Sequence, residues 1–378
     1  MRGRAIEFRS MGSTCRHFAA AGLVAAGLLA FDAPASGDGH LGLIRGRDLS
    51  PFGFLRLDMR PAHAATATPG QWAVEVELGY QNTWALSPNV QDYLGTLPGR
   101  RRLGPAEIAA IRALPGEKFL ADLELGLLDL AFHRRLDANW SVYAIAGAVA
   151  YGGGFMDGLI EGFHKGLGLG DFGRPALGRN EFNLLFDLKE AHFVQQGAPR
   201  AGGLLDPTLG VRYAWAPRAV PWNLVLEAAV KIPVGGKRAY LSNGHADTGV
   251  QATVQRVAGR HGAYASAAAV YTETSLFGSG GRRQVVPTGI LGYEYAPDGR
   301  TQLLAQASAS RSTLSRRETD LESLRKNKYQ VSAGIRHRVG DAVLTFAITE
   351  NVANFNNTPD IGFQFGWVWS PGLAANPR

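Results

Sequence analysis

Cysteine is almost absent from this sequence, since Cys15 is the only one among 378 residues. It lies in an arginine-bearing stretch before the uninterrupted apolar run 18–31, and Ala33 and Ala35 then offer the small residues that a signal peptidase reads. We therefore predict a signal peptide over residues 1–35, cleaved after Ala35. The exported chain would then contain no cysteine, which excludes disulfide bonds and thiolate metal sites.

Long apolar runs and a strong net charge are also missing. After residue 35 no stretch approaches the roughly 20 apolar residues that a membrane helix needs. The formal net charge of +7 falls to +5 when the four arginines and two acidic residues of the signal are removed. So mild an excess predicts no nucleic-acid partner. Two classes remain open, a soluble periplasmic β-sandwich and a membrane β-barrel.

Alternation with a period of two is the dominant pattern from Gln71 onward. In YQVSAGIRHRV (329–339) apolar residues occupy one face, while polar residues and glycine occupy the other. QWAVEVELGY (71–80) and PWNLVLEAAVKI (221–232) repeat this pattern, with aromatic residues near the ends of the apolar faces. Such segments are strands with one apolar and one wet face. Aromatic ends are typical of strands that cross a bilayer with their wet face toward a lumen.

Loop lengths point the same way, because short breaks such as 136–139 and 297–299 alternate with long polar ones. Thirteen segments carry a strand pattern, but a single-chain barrel of this class needs an even number. We interpret 180–190 as half of a hairpin with 191–197, inside one outer loop over 152–203. The prediction is an all-β fold, an antiparallel transmembrane β-barrel of about 12 strands over residues 71–370. The segments are 71–84, 119–132, 140–151, 180–190, 205–215, 222–232, 246–257, 261–274, 285–296, 300–311, 327–338, 341–351 and 360–370.

The two ends of the predicted barrel carry their own signals. The last strand, DIGFQFGWVWS (360–370), has the aromatic-rich face of a closing strand that the barrel-assembly machinery recognises. We therefore expect that machinery and outer-membrane lipid as partners, and an outer-membrane location in a Gram-negative bacterium. A tail, 371–378, follows this strand. Residues 36–70 precede the barrel and combine FGFLRL with prolines, which leaves a plug in the lumen or a periplasmic strap as alternatives.

A glycine-rich helix is predicted inside the long outer loop. At about 100° per residue, 157–167 divides into a polar arc, an apolar arc and a glycine arc formed by Gly158, Gly162 and Gly166. Each interior glycine costs about 1 kcal/mol relative to alanine. We therefore expect the glycine arc to pack closely against another backbone, at the barrel mouth or in the lumen.

This loop is also the predicted constriction of the lumen. A carboxylate–histidine set on its polar arc can hold a metal or move a proton, but no second cluster completes a coordination shell, so we predict no metal and no cofactor. The GxGxxG spacing of Gly168, Gly170 and Gly173 follows the helix instead of a strand, which is the wrong order for a dinucleotide site. The constriction candidates are Asp157, Glu161, His164, Phe155 and Phe163.

Two stretches resemble one protein family. GGGFMDGLIEGFHKGLGL (152–169) is similar to the most distinctive motif of a bacterial family of unknown function, DUF3187. IRGRDLSPFGFLRLDMRP (44–61) resembles the N-terminal Arg, Asn or Asp, then Pro-Phe pattern of that family, with Asp48 where asparagine is expected. The resemblance covers essentially the whole exported chain. It implies an exported Gram-negative protein with β-barrel character, and it brings no assigned activity or catalytic residue.

The wet strand faces predict an outer-membrane channel or porin for small solutes, and hydrophobic solutes remain open. A structural or surface-binding protein is the first alternative. A phospholipase is the second, because YLSNGH (240–245) offers Ser242, but Tyr240 stands where the resemblance to a twelve-stranded outer-membrane phospholipase requires the general base. We therefore predict no catalytic residue and no enzyme. The predicted lumen charges are Glu75, Glu77, Asp122, Glu124, Arg212, Glu227, Lys231, Arg336 and Arg338.

Overall fold

The computed structural model describes residues 40–50, 53–61, 70–168, 170, 172–198, 200–215, 222–236, 240–274 and 282–371. The predicted signal peptide lies outside the described residues, and so does the predicted tail after residue 371.

In the described part of the chain, fifteen strands form one sheet. They are β1 (Trp72–Leu86), β2 (Lys118–Arg135), β3 (Trp140–Gly152), β4 (Asn183–Asp187), β5 (His192–Gln196), β6 (Gly202–Leu204), β7 (Thr208–Trp215), β8 (Trp222–Lys231), β9 (Asp247–Ala258), β10 (His261–Thr274), β11 (Arg282–Tyr295), β12 (Thr301–Ser310), β13 (Lys328–Val339), β14 (Ala342–Asn351) and β15 (Ile361–Trp369). The helices are α1 (Pro88–Gly95), α2 (Pro105–Ala113), α3 (Asp157–Leu167) and α4 (Glu322–Arg325), with a 3₁₀ turn at Arg174–Ala176.

Twelve of these strands close into an antiparallel barrel. The order runs β1, β2, β3, then β7 to β15, with neighbours hydrogen-bonded. β15 returns to β1 in register from Val74 opposite Trp369 to Asn82 opposite Ile361. Closure leaves no free edge, which is the condition for a sheet that crosses a bilayer. The predicted twelve-stranded barrel is confirmed.

The other three strands lie in the loop between β3 and β7. β4 pairs with Lys118–Asp122 at the start of β2, and β5 pairs with β4 as a hairpin. β6 pairs with Ala148–Ala150 near the end of β3. None of the three belongs to the closed ring of twelve strands, so the interpretation of 180–190 as part of a hairpin inside the outer loop is also correct.

The wall has an apolar outer face and a polar inner face. On β1, Trp72 and Leu78 are exposed on the outside, while Glu75, Glu77 and Gln81 are buried inside. This is the pattern of a barrel whose outer surface contacts lipid. We call the exposed outward apolar residues of the wall the apolar belt; among them are Trp72, Leu78, Leu128, Phe132, Trp140, Leu209, Val211, Trp215, Leu226, Val250, Leu291, Leu303, Ile335, Leu344, Ile348, Phe365 and Trp367.

The two ends of the barrel differ. Short turns such as 136–139, 259–260 and 340–341 lie at one end, here the short-turn end, and the long-loop end carries 87–117 and 153–207 among others. In the first long loop, α1 and α2 pack their buried residues Val90, Leu94 and Ile111 against Trp84 and Leu120 of the outer wall face. Among the helices that the structure describes, none is long and apolar enough to cross a membrane.

The lipid-facing surface makes a direct prediction for arginine substitutions. Leu128, in the apolar belt, and Leu136, in a turn at the short-turn end, are similarly exposed, at 43% and 52%. Leu128→Arg should lower the free energy of unfolding by about 2–4 kcal/mol, as charge does on the lipid face, whereas Leu136→Arg should change it little. Denaturant unfolding in lipid vesicles measures both, and equal small effects would contradict a lipid-facing Leu128.

Candidate functional site

The interior of the barrel is occupied by residues 40–50 and 53–61, here called the luminal segment. At the short-turn end, His40 Nε2 lies 3.1 Å from the carbonyl oxygen of Gly259. The backbone amides of Leu41 and Gly42 donate hydrogen bonds to the Glu294 carboxylate, over 3.1 and 3.2 Å. The segment therefore begins among inward residues of the wall at the short-turn end.

The segment then reaches the long-loop end and turns back. Leu55 O accepts a hydrogen bond from Lys231 Nζ at the upper end of β8, over 2.8 Å. On the way back, Pro61 O accepts a hydrogen bond from the Arg45 guanidinium. Gly70, two residues before β1, lies at the short-turn end, where its amide donates to the carbonyl oxygen of Arg135. The luminal segment is thus shaped like a hairpin, and His40 at its start and Gly70 before β1 lie at the same end of the barrel.

Arginines of the luminal segment neutralise carboxylates of β1 and β2. Arg45 Nε lies 2.8 Å from Glu75 Oε1, and the other oxygen of Glu75 lies 3.0 Å from His133 Nε2. All of these side chains are buried. A buried carboxylate that lost its cationic partner would be strongly destabilising, so this contact ties the segment to the wall.

A second arginine joins the same two strands further along. Arg60 donates to Glu77 Oε2 over 3.1 Å and also to Asp129. Arg47 lies 3.6 Å from the other oxygen of Asp129. The acidic side of the inner wall is therefore balanced by charges that the luminal segment supplies.

On β13, three strands away from β1 in the wall, the charges are reversed. Lys328 Nζ lies 2.9 Å from Asp48 of the segment. Arg336 donates to the carbonyl oxygens of Gly42 and Leu43, over 3.0 and 3.1 Å. Cations of β13 thus bind acceptors of the luminal segment, and the segment is held by two separate parts of the wall.

An apolar cluster closes the long-loop end. Leu49 and Phe54 of the luminal segment are buried there among side chains from the wall, from β4 and from three long loops. Their neighbours include Phe119, Leu125, Tyr151, Phe182, Leu184, Leu205, Tyr240, Leu241, Leu314 and Leu324. A cavity of about 40 Å³ remains beside Arg47, Glu77 and Gln81, which is room for water only.

Most of the predicted lumen charges do face the interior. Glu227 accepts hydrogen bonds from Arg212 Nε and from Tyr143, over 2.8 and 2.6 Å. Arg338 follows Arg336 on the inner face of β13. The predicted lumen charges that face inward and form ion pairs are Glu75, Glu77, Arg212, Glu227, Lys231 and Arg336.

Glu124 and Asp122 correct that prediction, because they lie on the outer face of β2. Leu123, Leu125 and Leu127 take the inward positions and pack in the apolar cluster. Glu124 instead accepts hydrogen bonds from Tyr80 and from Asn82 Nδ2 on the outer face of β1. In the half of β2 nearest the long-loop end, the inward side chains are apolar and the polar side chains point outward.

The helix α3 lies against this outer polar patch, and the predicted constriction of the lumen is therefore wrong. The amides of Phe155 and Met156 donate to Glu124, over 3.0 and 2.7 Å, which caps the N-terminus of the helix. The Phe155 ring stacks on the outward Tyr80 ring with centroids 5.1 Å apart. Phe163 and His164 belong to the same helix and lie outside the wall with it.

The acidic residues of α3 are used for attachment. Asp157 contacts Arg174 and Asn82, and it accepts a hydrogen bond from the amide of Asn180 over 2.7 Å. Glu161 lies 2.6 Å from Arg100 and 2.5 Å from Arg179. Burial by itself would raise the pKa of Glu161, but the hydrogen bonds and positive charges of the two arginines outweigh it and lower that pKa.

The glycine arc does not pack closely, contrary to the prediction. A Cβ built at Gly158, Gly162 or Gly166 would meet nothing within 4 Å. The helix is held by its polar side, so the glycines point away from the protein. Gly168 ends the helix in the left-handed conformation, with φ of 67°, which explains a glycine there without a nucleotide. Among the described residues, no group of three His, Cys, Asp or Glu side chains could hold a metal.

Ser242 has a structural environment. Its Oγ donates to Asp206 over 2.6 Å and accepts from the amide of Gly244 over 2.8 Å. Asn243 beside it contacts Lys231 and Asp247. A nucleophilic serine needs a base that accepts its proton and a substrate path, whereas this hydroxyl is buried and held by a carboxylate inside a turn.

The luminal ion pairs predict how firmly the segment is held. Arg60→Met leaves Glu77 and Asp129 buried without their main cation, so the free energy that keeps the segment in the barrel should fall by about 3–5 kcal/mol. Limited proteolysis of residues 40–61 in the folded barrel measures this loss. Lys326→Met, which removes an exposed partner of Glu322, is the matched control and should change little. Equal cleavage of the two variants would contradict the attachment.

Three solved structures of outer-membrane proteins were compared with this chain, and only the first has a TM-score above 0.5. The crystal structure of the COG4313 outer membrane channel from Pseudomonas putida F1 is similar over 83% of this chain and 100% of that chain, with a TM-score of 0.51 and 13% sequence identity. The NanC porin aligns over 78% and 98% of the two chains, with a TM-score of 0.41 and 7% identity. The P. putida toluene transporter TodX aligns over 81% and 90%, with a TM-score of 0.34 and 11% identity. The first of these supports the fold alone.

At the level of sequence, a search among curated proteins found no match. The family model described as "Protein of unknown function (DUF3187)" matches residues 86–369. The match includes the glycine-rich helix and leaves the motif at 44–61 outside. Because the model covers most of the sequence, the chain belongs to the DUF3187 family.

Proposed function

We propose that this protein is an outer-membrane channel for small solutes, closed in this structure by its luminal segment. The observation that carries the proposal is the path of that segment, which occupies the lumen as a hairpin with His40 and Gly70 at the same end of the barrel. A hairpin of this kind can withdraw toward the short-turn end without threading through the wall. Channel opening is then the withdrawal of residues 40–61 from a barrel that stays folded.

The fold supports this role. A closed barrel with an apolar belt and a polar interior is the architecture of porins, and the similar P. putida structure is described as an outer membrane channel. The segment is held by ion pairs and hydrogen bonds, which water can replace when the segment leaves. It is also held by buried apolar side chains, because Leu43, Ile44, Leu57 and Met59 pack against inward residues of the wall. The apolar cluster around Leu49 and Phe54 is the part that must separate at the long-loop end.

The lining of the emptied lumen indicates the kind of solute. Withdrawal would expose Glu75, Glu77 and Asp129 on β1 and β2, and Lys328 and Arg336 on β13. Charges of both signs in one lumen favour polar solutes over hydrophobic ones and give little selection by net charge. Reversal potentials near zero in asymmetric salt would agree with this lining.

A disulfide that fixes the segment to the wall tests the proposal. In Met59→Cys the sulfur would take the place of the Met59 Cγ, which lies 2.9 Å from a Cβ built at Gly249 on β9. In a disulfide, the Cβ of one cysteine and the sulfur of the other are about 3 Å apart. Met59→Cys with Gly249→Cys should conduct in planar bilayers only after reduction. The wild-type protein should show stepwise currents under both conditions.

Thr253→Cys with Ser266→Cys is the matched control, because their side-chain oxygens lie 2.9 Å apart on adjacent wall strands. This disulfide leaves the luminal segment free and should not change the current on oxidation. Currents that persist in the oxidised Met59–Gly249 pair would mean that solute passes beside a fixed segment. Wild-type protein that never conducts would favour the alternative, a structural or surface-binding barrel.

A further inference from the structure

The exposed face of α3 carries large apolar side chains, the reverse of a helix in water, although Ile160 is buried on the protein side. Asp157 and Glu161, on the side of the helix that faces the protein, are 3% and 9% exposed, whereas Leu159 and Phe163 are 63% and 59% exposed. Phe155, just before the helix, is also exposed. A loop helix surrounded by water would present its charged face and bury its apolar one.

The position of α3 explains this reversal. Phe155 stacks on Tyr80, and Tyr80 is the next outward residue of β1 after Leu78 of the apolar belt. Eight residues separate Trp72 from Tyr80 along β1. With a rise of about 3.3 Å per residue and the usual strand tilt, Tyr80 stands about 20 Å above Trp72, near the far edge of a lipid belt about 25 Å tall.

The apolar face of α3 is therefore continuous with the surface that contacts lipid. The helix lies at the level where acyl chains meet headgroups, with its polar side toward the protein. Interfacial helices bury an apolar face in this zone. Lys165, exposed in the last turn of α3, can extend toward lipid phosphates from that position.

We propose that α3 is a lipid-contacting helix, whose Leu159 and Phe163 insert among the acyl chains of the leaflet at the long-loop end. The three open glycines, Gly158, Gly162 and Gly166, leave room beside these side chains for acyl chains to lie along the helix. The helix thereby widens the apolar belt on the β1–β2 side of the barrel. This inference depends on the membrane-barrel fold and not on whether the barrel conducts.

Quenching of an environment-sensitive fluorophore by brominated lipid tests the proposal. Single cysteines at Leu159 and Phe163, in a full-length protein with Cys15→Ser, are labelled with NBD after reconstitution in phosphatidylcholine vesicles. Leu128→Cys in the apolar belt is the positive control, and Arg102→Cys in the first long loop, 91% exposed as a side chain, is the aqueous control. Heat-modifiable migration in gels verifies that each variant is folded.

The expected result is a loss of fluorescence in brominated vesicles at Leu159 and Phe163 comparable to that at Leu128, with little loss at Arg102. Iodide in the buffer should quench Arg102 and spare the two helix positions. Helix labels that behave like the Arg102 label would overturn the proposal, because α3 would then face water. Labels protected from both quenchers would also overturn it, since a second protein chain would cover the helix.

Discussion

The need to pair charge inside a closed wall governs the rest of this structure. A single layer of strands with lipid on its outer side must put its polar residues inside, where a carboxylate without a cation is very costly. Glu75, Glu77 and Asp129 all face inward on β1 and β2, and the luminal segment brings Arg45, Arg47 and Arg60 to them. Filling of the lumen and neutralisation of its wall are therefore the same event.

The outer face of the same two strands follows the same rule. Above the apolar belt, Asn82 and Glu124 would be polar groups at the edge of lipid, and α3 covers them with its own polar side. Two segments of the chain, one before the barrel and one in a long loop, thus satisfy polar groups on opposite faces of β1 and β2. The consequence for α3 is that its apolar side is left facing outward.

The strands could be predicted from the sequence because the period of two is imposed by the wall itself. All twelve barrel strands lie within three residues of their predicted bounds. Local patterns failed where both faces of an element are covered. In β2, LADLEL is apolar inside against the luminal segment and polar outside under α3, so Glu124 was assigned to the wrong face. The sequence pattern of α3 revealed its three arcs correctly, but it contains nothing that says on which side of the wall the helix lies.

The luminal segment posed a different problem, since FGFLRL with prolines fits a plug and a strap equally well. The role of its arginines follows from the inward carboxylates of β1 and β2, and the sequence of the segment alone does not show that these groups are in contact.

The central claim is that this segment opens as a unit while the barrel stays closed. Hydrogen exchange of the protein in lipid tests it most directly: amides of residues 40–61, including those of Leu41, Gly42 and Leu57 bound to wall carboxylates, should exchange well before those of the wall strands. Exchange of the segment and the wall at one common rate would contradict the account.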